Sequence, residues 1–337
     1  MNASSYTPGT TGGNKEWLGN ELTILEPEET PFTSTIAKGE DAKGTLHEVV
    51  SDRLRKPRTT GTREGESGVK GGNKASKRAR FGAYLHRWLD TFGVTDVQQA
   101  VSRKGGNAVT DDEYGDAKAK CVREVKRDIE ATFLSNQDCQ GGSDDEMRLR
   151  GLFKWLATTG TTVTPNIPSD FCTVSNAIKT SKATLLESDL NAVLKAIFDE
   201  CGYGEFMALL GSDYVEDMDL FAVQDTAGGS ASRYAYPVAV SDGSTKTVNL
   251  VVRIFETSFG RVTRVPSAFI NVNSAGVHNA TCAAILRRET WKASFLEMLH
   301  AVDDDEDAGG LSGYVKAIGG LWCKMPRANG YITNSLN

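Results

Sequence analysis

The run Thr110-Asp111-Asp112-Glu113-Tyr114-Gly115-Asp116-Ala117-Lys118-Ala119-Lys120-Cys121-Val122-Arg123-Glu124-Val125-Lys126-Arg127-Asp128-Ile129-Glu130-Ala131-Thr132-Phe133 decides the architecture. Thr110 followed three residues later by Glu113 is a capping box, and the acids of this turn sit at the positive end of a helix dipole. Beyond it Tyr114, Ala117, Cys121, Val125, Ile129 and Phe133 recur at spacings of 3, 4, 4, 4 and 4, a single narrow apolar stripe. Lys118, Lys120, Arg123, Glu124, Lys126, Arg127 and Glu130 occupy the other faces. The pattern predicts a helix over 110–135, roughly 37 Å long at about 1.5 Å per residue. A helix of that length, apolar along one line, is a spine lying across a sheet.

Working outward toward the N-terminus, residues 45–90 carry the oddest composition. A candidate strand from Leu46 to Leu54 leads in, and a second from Ala79 to Leu89 leads out. Between Arg53 and Arg80 lie ten bases, Arg53, Arg55, Lys56, Arg58, Arg63, Lys70, Lys74, Lys77, Arg78 and Arg80, against two acids, Glu64 and Glu66. That local +8 leaves −14 for the rest of a chain whose total is −6. An extended hairpin with a polar tip buries no core alone and needs a neighbouring surface. Two readings stay open at this point: a solvated loop, and a hairpin that reaches onto another subunit.

Before the hairpin, residues 1–14 read as a flexible arm rich in Thr, Gly and Ser, without the apolar core of a signal peptide. The apolar positions then run Trp17, Leu18, Leu22, Ile24 and Leu25, and reach Glu29-Thr30-Pro31-Phe32. Pro27 and Pro31 prevent one long helix, so the segment reads as an extended arm with a short helix, its contacts made by Trp17, Leu22, Pro31 and Phe32.

Downstream, a second amphipathic helix is expected from Glu187 to Cys201, stopping at Gly202, where glycine suits the position after a C-cap. Phe206 to Leu210 reads as a buried strand and Ser212 to Phe221 as a short helix. A strand pair is expected within Thr247 to Ile270 around Ser258-Phe259-Gly260, followed by alternating apolar residues from Ile285 to Leu299. Helices and strands mixed without regular alternation indicate an α+β fold.

The chain of 337 residues, with 39% hydrophobic and 24% charged residues, has the composition of a folded protein. No run of about 18 apolar residues exists, so no membrane span or membrane partner is expected. The six cysteines, Cys121, Cys139, Cys172, Cys201, Cys282 and Cys323, are scattered without a Cys-x-x-Cys pair and read as reduced thiols of a cytosolic fold. His47, His86, His278 and His300 have no ligand-type partner at helical spacing. Gly39 with Gly44-Thr45 has the glycines of a phosphate loop but not its lysine. Asp303, Asp305 and Asp307 imitate a calcium loop, yet Ala308 stands where glycine is needed and Tyr314 where a bidentate Glu is needed. No enzyme motif remains, and neither catalytic residues, a metal nor a cofactor is expected.

Four short patches, in this order, resemble a known family. They are Glu29-Thr30-Pro31-Phe32 with Ile36; Leu46-His47-Glu48 through Asp52-Arg53-Leu54; Val122-Arg123-Glu124-Val125-Lys126-Arg127-Asp128-Ile129-Glu130; and Phe255-Glu256-Thr257-Ser258-Phe259-Gly260-Arg261-Val262 through Pro266. Together they resemble the major capsid proteins of tailed bacteriophages with the HK97-type fold, in a branch without a fused scaffolding domain. The resemblance implies an N-terminal arm over 1–44, an E-loop hairpin over 45–90 and a P-domain over 91–174 that holds the spine helix. It implies further an A-domain over 175–250 and returning strands with a C-terminal segment over 251–337.

The implied function is self-assembly into hexamers and pentamers of an icosahedral shell around double-stranded DNA. The implied partners are other copies of the chain, a separate scaffolding protein, a portal protein, an optional decoration protein, and packaged DNA held without specificity. Localisation would be the virion, after assembly in the host cytoplasm. The ten bases of residues 53–80 would then face a neighbouring subunit, so that glutamate at Arg53, Arg55, Arg58 and Arg63 would abolish shells. Two alternatives remain: a nucleic-acid-binding protein using the basic hairpin, although the tip lacks stacking aromatics, and an encapsulin-like compartment shell.

Overall fold

In a computed structural model, residues 29–54, 57, 59, 61, 64, 77–100, 113–142, 146–159, 165–221, 254–273, 275–304 and 310–336 are described. Two compact units form, one on Leu89–Val125 and Leu299–Lys316, the other on Glu29–Trp88, Lys126–Met298 and the chain from Ala317 onward. In chain order the first elements are α1 (Pro31–Thr35), β1 (Ala37–Lys38), β2 (Leu46–Arg53), β3 (Lys77–Tyr84), β4 (His86–Thr95), α2 (Asp96–Ala100), α3 (Glu113–Phe133) and α4 (Leu152–Trp155). There follow β5 (Ile178–Lys179), α5 (Glu187–Cys201), β6 (Gly204–Leu210), α6 (Ser212–Leu220), β7 (Ile254–Thr257), β8 (Gly260–Pro266), β9 (Cys282–Leu286), β10 (Trp291–Asp303), β11 (Gly310–Cys323) and β12 (Gly330–Thr333). The strands make a four-stranded sheet ordered β1-β10-β11-β4, a six-stranded sheet ordered β5-β12-β9-β6-β8-β7, and the separate pair β2-β3. Helices and sheets without strict alternation make this α+β, as the sequence predicts.

The spine helix α3 forms, with Thr110 to Asp112 of its expected cap outside the described residues. Its stripe is buried at Cys121, Val125, Ile129 and Phe133. In each unit the helix meets β4, whose inward residues Trp88, Phe92 and Val94 alternate with exposed ones. In the first unit Tyr114 stacks on Phe92, and its hydroxyl donates to Asp303 Oδ1 at 2.8 Å. Lys118 Nζ reaches both oxygens of Asp303, at 2.7 and 2.8 Å. Asp303 ends β10 and ties it to the helix; Asp305 and Asp307 lie outside the described residues. In the second unit Phe133 stacks edge-on against Trp88, and the Trp88 indole donates to Thr132 Oγ1 at 3.2 Å.

Two readings are corrected here. Glu130, assigned to a polar face of the spine, is fully buried, because α1 lies against that face and supplies donors to its carboxylate. The strand expected from Ala79 to Leu89 is two strands in different sheets. Buried Leu85 separates them, its N–H donating to the Thr45 carbonyl at 2.9 Å, so the hairpin ends at Tyr84.

The six-stranded sheet has α5 and α6 on one face. Leu190, Val193, Leu194 and Ile197 of α5 and Tyr214 and Met218 of α6 pack with Phe206, Ala208, Leu210, Ala283, Ile285 and Ile332. Met207, Leu209, Ala284 and Leu286, pointing to the opposite face, are buried too. Burial on both faces explains why β6 reads as a continuous apolar run rather than an alternating one. Gly202 follows α5 with φ +75° and ψ −173°, a positive-φ conformation that glycine adopts far more readily than other residues.

Candidate inter-subunit surface

The hairpin pairs β2 with β3 antiparallel, from Leu46 opposite Tyr84 to Arg53 opposite Lys77. With a side-chain period of two, each strand presents two different faces. The odd residues of β2 turn toward the chain's own body. His47 lies 4.9 Å from the Trp322 ring, burial holding its imidazole pKa below the ordinary value against the pull of Glu40. Val49 is buried opposite Phe81, whose ring sits 6.3 Å from Trp155 and 5.7 Å from Phe171. Ser51 Oγ donates to the Lys324 carbonyl at 2.7 Å.

The other face looks outward. It holds Leu46, Glu48, Val50 and Asp52 with Arg78 and Arg80. Arg78 bonds its register partner Asp52 at 3.0 Å, and Arg80 pairs diagonally with Glu48. Such exposed pairs contribute only about 0–1 kcal/mol each, but they neutralise the strip they line. Beside these exposed pairs stand uncovered apolar side chains: Val50 is 63% exposed and Leu54, just past β2, 87%.

The base of the hairpin is tied down by Arg150, a fully buried cation. Its Nε donates to Asp138 Oδ1 at 2.9 Å, Nη1 to the Gly82 carbonyl at 2.9 Å and Nη2 to the Pro165 carbonyl at 3.0 Å. The guanidinium also lies 5.4 Å from the Trp155 ring. Gly82 opposes Glu48 so closely that any Cβ there would run into the His47 carbonyl oxygen, which only glycine allows.

At the far end of β2, Arg53 folds back onto the body. Its Nη2 donates to Glu200 Oε2 at 2.8 Å and its Nη1 to the Asp170 carbonyl at 3.1 Å. Arg327 makes the same pair of contacts: Nε and Nη2 each reach Glu200 at 3.0 Å, and Nη1 reaches the Asp170 carbonyl at 3.2 Å. Those bonds hold the Arg327 guanidinium above its usual pKa, burial opposing.

The structure therefore sorts the expected site residues. Arg55, Lys56, Arg58, Arg63, Lys70, Lys74, Trp17 and Leu22 lie outside the described residues. Lys77 closes the register; Arg78 and Arg80 face outward in pairs within the hairpin; Arg53 faces inward. Phe32 is fully buried in its own chain, 6.2 Å from the Trp291 ring, while Pro31 is partly exposed. Arg53 is thus paired within its own chain, and a glutamate there would set one carboxylate beside another. Glu200, Asp170, Arg150 and Arg327 were not singled out from sequence. Only Glu200 left a signal, as an acid in the last turn of a helix, where the dipole disfavours it. Among the described residues no cluster of three or more His, Cys, Asp or Glu could hold a metal ion.

Comparison with known proteins gives the same frame. The model of the family described as SU10 major capsid protein matches residues 4–335. None of the curated proteins matches the chain. Among solved structures, the cyanophage A-1(L) capsid asymmetric unit is similar with a TM-score of 0.64 at 12% identity, over 96% of this chain and 98% of that one. The capsid of an empty GTA particle is similar with a TM-score of 0.60 at 12% identity, over 99% and 100%. A chain of Gordonia phage Cozz gives 0.56 at 11% identity, over 99% of each. At such identities the likeness is one of fold.

Proposed function

Because the chain belongs to the SU10 major capsid protein family, a structural family of HK97-type fold whose members build phage capsid shells by assembling with themselves, we propose that it forms the hexamers and pentamers of an icosahedral shell around double-stranded DNA. In this reading the hairpin of residues 45–84 is the E-loop that lies over an adjacent subunit, and residues 175–250 supply much of the lobe at the capsomer centre. Assembly takes place in the host cytoplasm with a separate scaffolding protein, and a portal protein occupies one vertex.

The observation that carries the hairpin's role is its outward face. The other face of the ribbon is packed on its own body, while Val50 on the outward face and Leu54 just beyond β2 stay exposed, an apolar surface left for a second copy. Neutral ion pairs flank them, so this part of the hairpin docks by apolar contact, while the bases of the tip add attraction to a body of opposite charge. Many modest interfaces of this kind, repeated by symmetry, add up to a stable shell.

Particle formation by the full-length chain tests this, read by light scattering and negative-stain electron microscopy. Val50→Asp and the triple variant Arg55→Glu/Arg58→Glu/Arg63→Glu are expected to lose particles while circular dichroism and melting stay unchanged. Arg53 is left intact because its partner is in the same chain. Normal particles from both variants would overturn the role given to the hairpin.

A further inference from the structure

Glu200 occupies a place where its own helix disfavours it. It stands in the last turn of α5, whose C-terminal carbonyls repel an anion, and no basic residue shares that turn. Two guanidinium groups offset this penalty from outside the helix, Arg53 from the end of the hairpin and Arg327 from the loop before β12. The three side chains are 28%, 18% and 21% exposed for Arg53, Glu200 and Arg327, so their attraction is screened less than that of the outward pairs on the hairpin. Two cations share one carboxylate and one backbone carbonyl. Without the carboxylate, two like charges would face each other at a half-buried site.

The position of Arg53 along the hairpin gives this arrangement its consequence. The contacts of His47, Val49, Phe81 and Gly82 hold the base, and Ser51 adds one bond beyond them. Arg53 is the last residue of β2 and is therefore the outermost described anchor before the tip. Through the bond to Glu200, Arg53 ties the end of β2 to α5.

We infer that Glu200 is a positioning residue for the hairpin: it fixes the outer end of β2 on the subunit's own body, by holding Arg53 with Arg327 as the second cation of the clasp. The inference rests on the hairpin being the inter-subunit reach, and it adds which residue fixes its outer end. Neutralising Glu200 frees the outer end of the hairpin and leaves the base in place.

Hydrogen exchange by mass spectrometry on the full-length chain tests this, comparing wild type, Glu200→Gln and Glu200→Gln/Arg327→Gln in the same size-exclusion fraction. In Glu200→Gln the outer residues 51–53 and 77–79 should exchange at least about tenfold faster, with Val49, Phe81 and α5 unchanged. Removing the second guanidinium relieves the repulsion, so the double variant should recover part of the protection. Unchanged exchange at the outer end, or a rise spread evenly into α5 and β6, would overturn the inference; failure of the double variant to recover would overturn its electrostatic basis. Particle counts are taken separately. A wild-type chain that forms no particles counts against the assembly reading and leaves the exchange result standing.

Discussion

Glu130, in the long helix, accepts the backbone N–H of Phe32 at 2.7 Å across 98 residues of sequence. The same carboxylate takes the Thr33 N–H at 2.8 Å and the Thr33 hydroxyl, so one side chain meets the first turn of α1 with three donors. Burial pushes the carboxyl's pKa up, and those donors pull it back. The arm is thereby fastened to the spine of its own subunit at the point where Phe32 enters the core.

Glu130→Ala should therefore cost more than Glu130→Gln. Alanine leaves two N–H groups without an acceptor, at about 1–3 kcal/mol for each group buried, whereas the amide keeps one oxygen in place. Urea denaturation of both variants checks the order, and limited proteolysis should cut the alanine variant near α1 first. Equal losses would mean that the arm is held by Phe32 packing alone.

Arg150 gives a second prediction. Arg150→Met removes the cation beside the Asp138 carboxylate and the donor to two carbonyls, a loss of roughly 3–5 kcal/mol. Arg150→Lys should recover little, because one ammonium cannot match the planar fork that serves three directions. Thermal melting decides it; near-complete rescue by lysine would show that charge alone matters there.

His86 makes acid stability testable. Burial, aided by the positive charge of Arg148 and opposed by Glu146, lowers its pKa from 6.5 to about 4. Its Nδ1 is buried without a hydrogen-bond partner, and its ring lies 4.7 Å from that of Trp88. A depressed folded-state pKa means that the unfolded chain binds the proton first as the medium is acidified. The contribution is fully present above pH 6.5 and is lost as the pH falls toward 4, with a ceiling of about 3 kcal/mol. His86→Phe keeps a ring against Trp88, and its melting temperature should fall less than that of wild type across this window. Parallel curves would remove His86 as a cause.

Thiol chemistry offers a simpler check. Five of the six cysteines are buried and Cys201 is half-buried. Burial pushes the Cys282 and Cys323 thiols up to about 12, further from the reactive thiolate. A thiol reagent should label one site per native chain, lost in Cys201→Ser, and six after denaturation. Fast labelling of a second cysteine in the native protein would contradict the packing around it.

Elements defined by local periodicity were legible in the sequence. The stripe from Tyr114 to Phe133, the stop of α5 at Gly202 and the apolar run of β6 each depend on residues a few positions apart. The hairpin was legible as two strands around a basic tip, but not the assignment of its faces. Counting bases from Arg53 to Arg80 treats them as one set. Register divides them, because a shift of one residue would exchange Arg53 with its outward-facing neighbours.

The apolar stripe of α3, the glycine that stops α5 and the apolar run of β6 are short-range patterns, and one chain's order of residues is enough to determine them. Which acid meets which base is not of that kind. Glu130 looked like a surface residue until α1 covered it, and Glu200 looked like a poor helix end until Arg53 and Arg327 arrived from 147 and 127 residues away. Burial and pairing of charge depend on what the rest of the chain places nearby, and only the tertiary structure decides that.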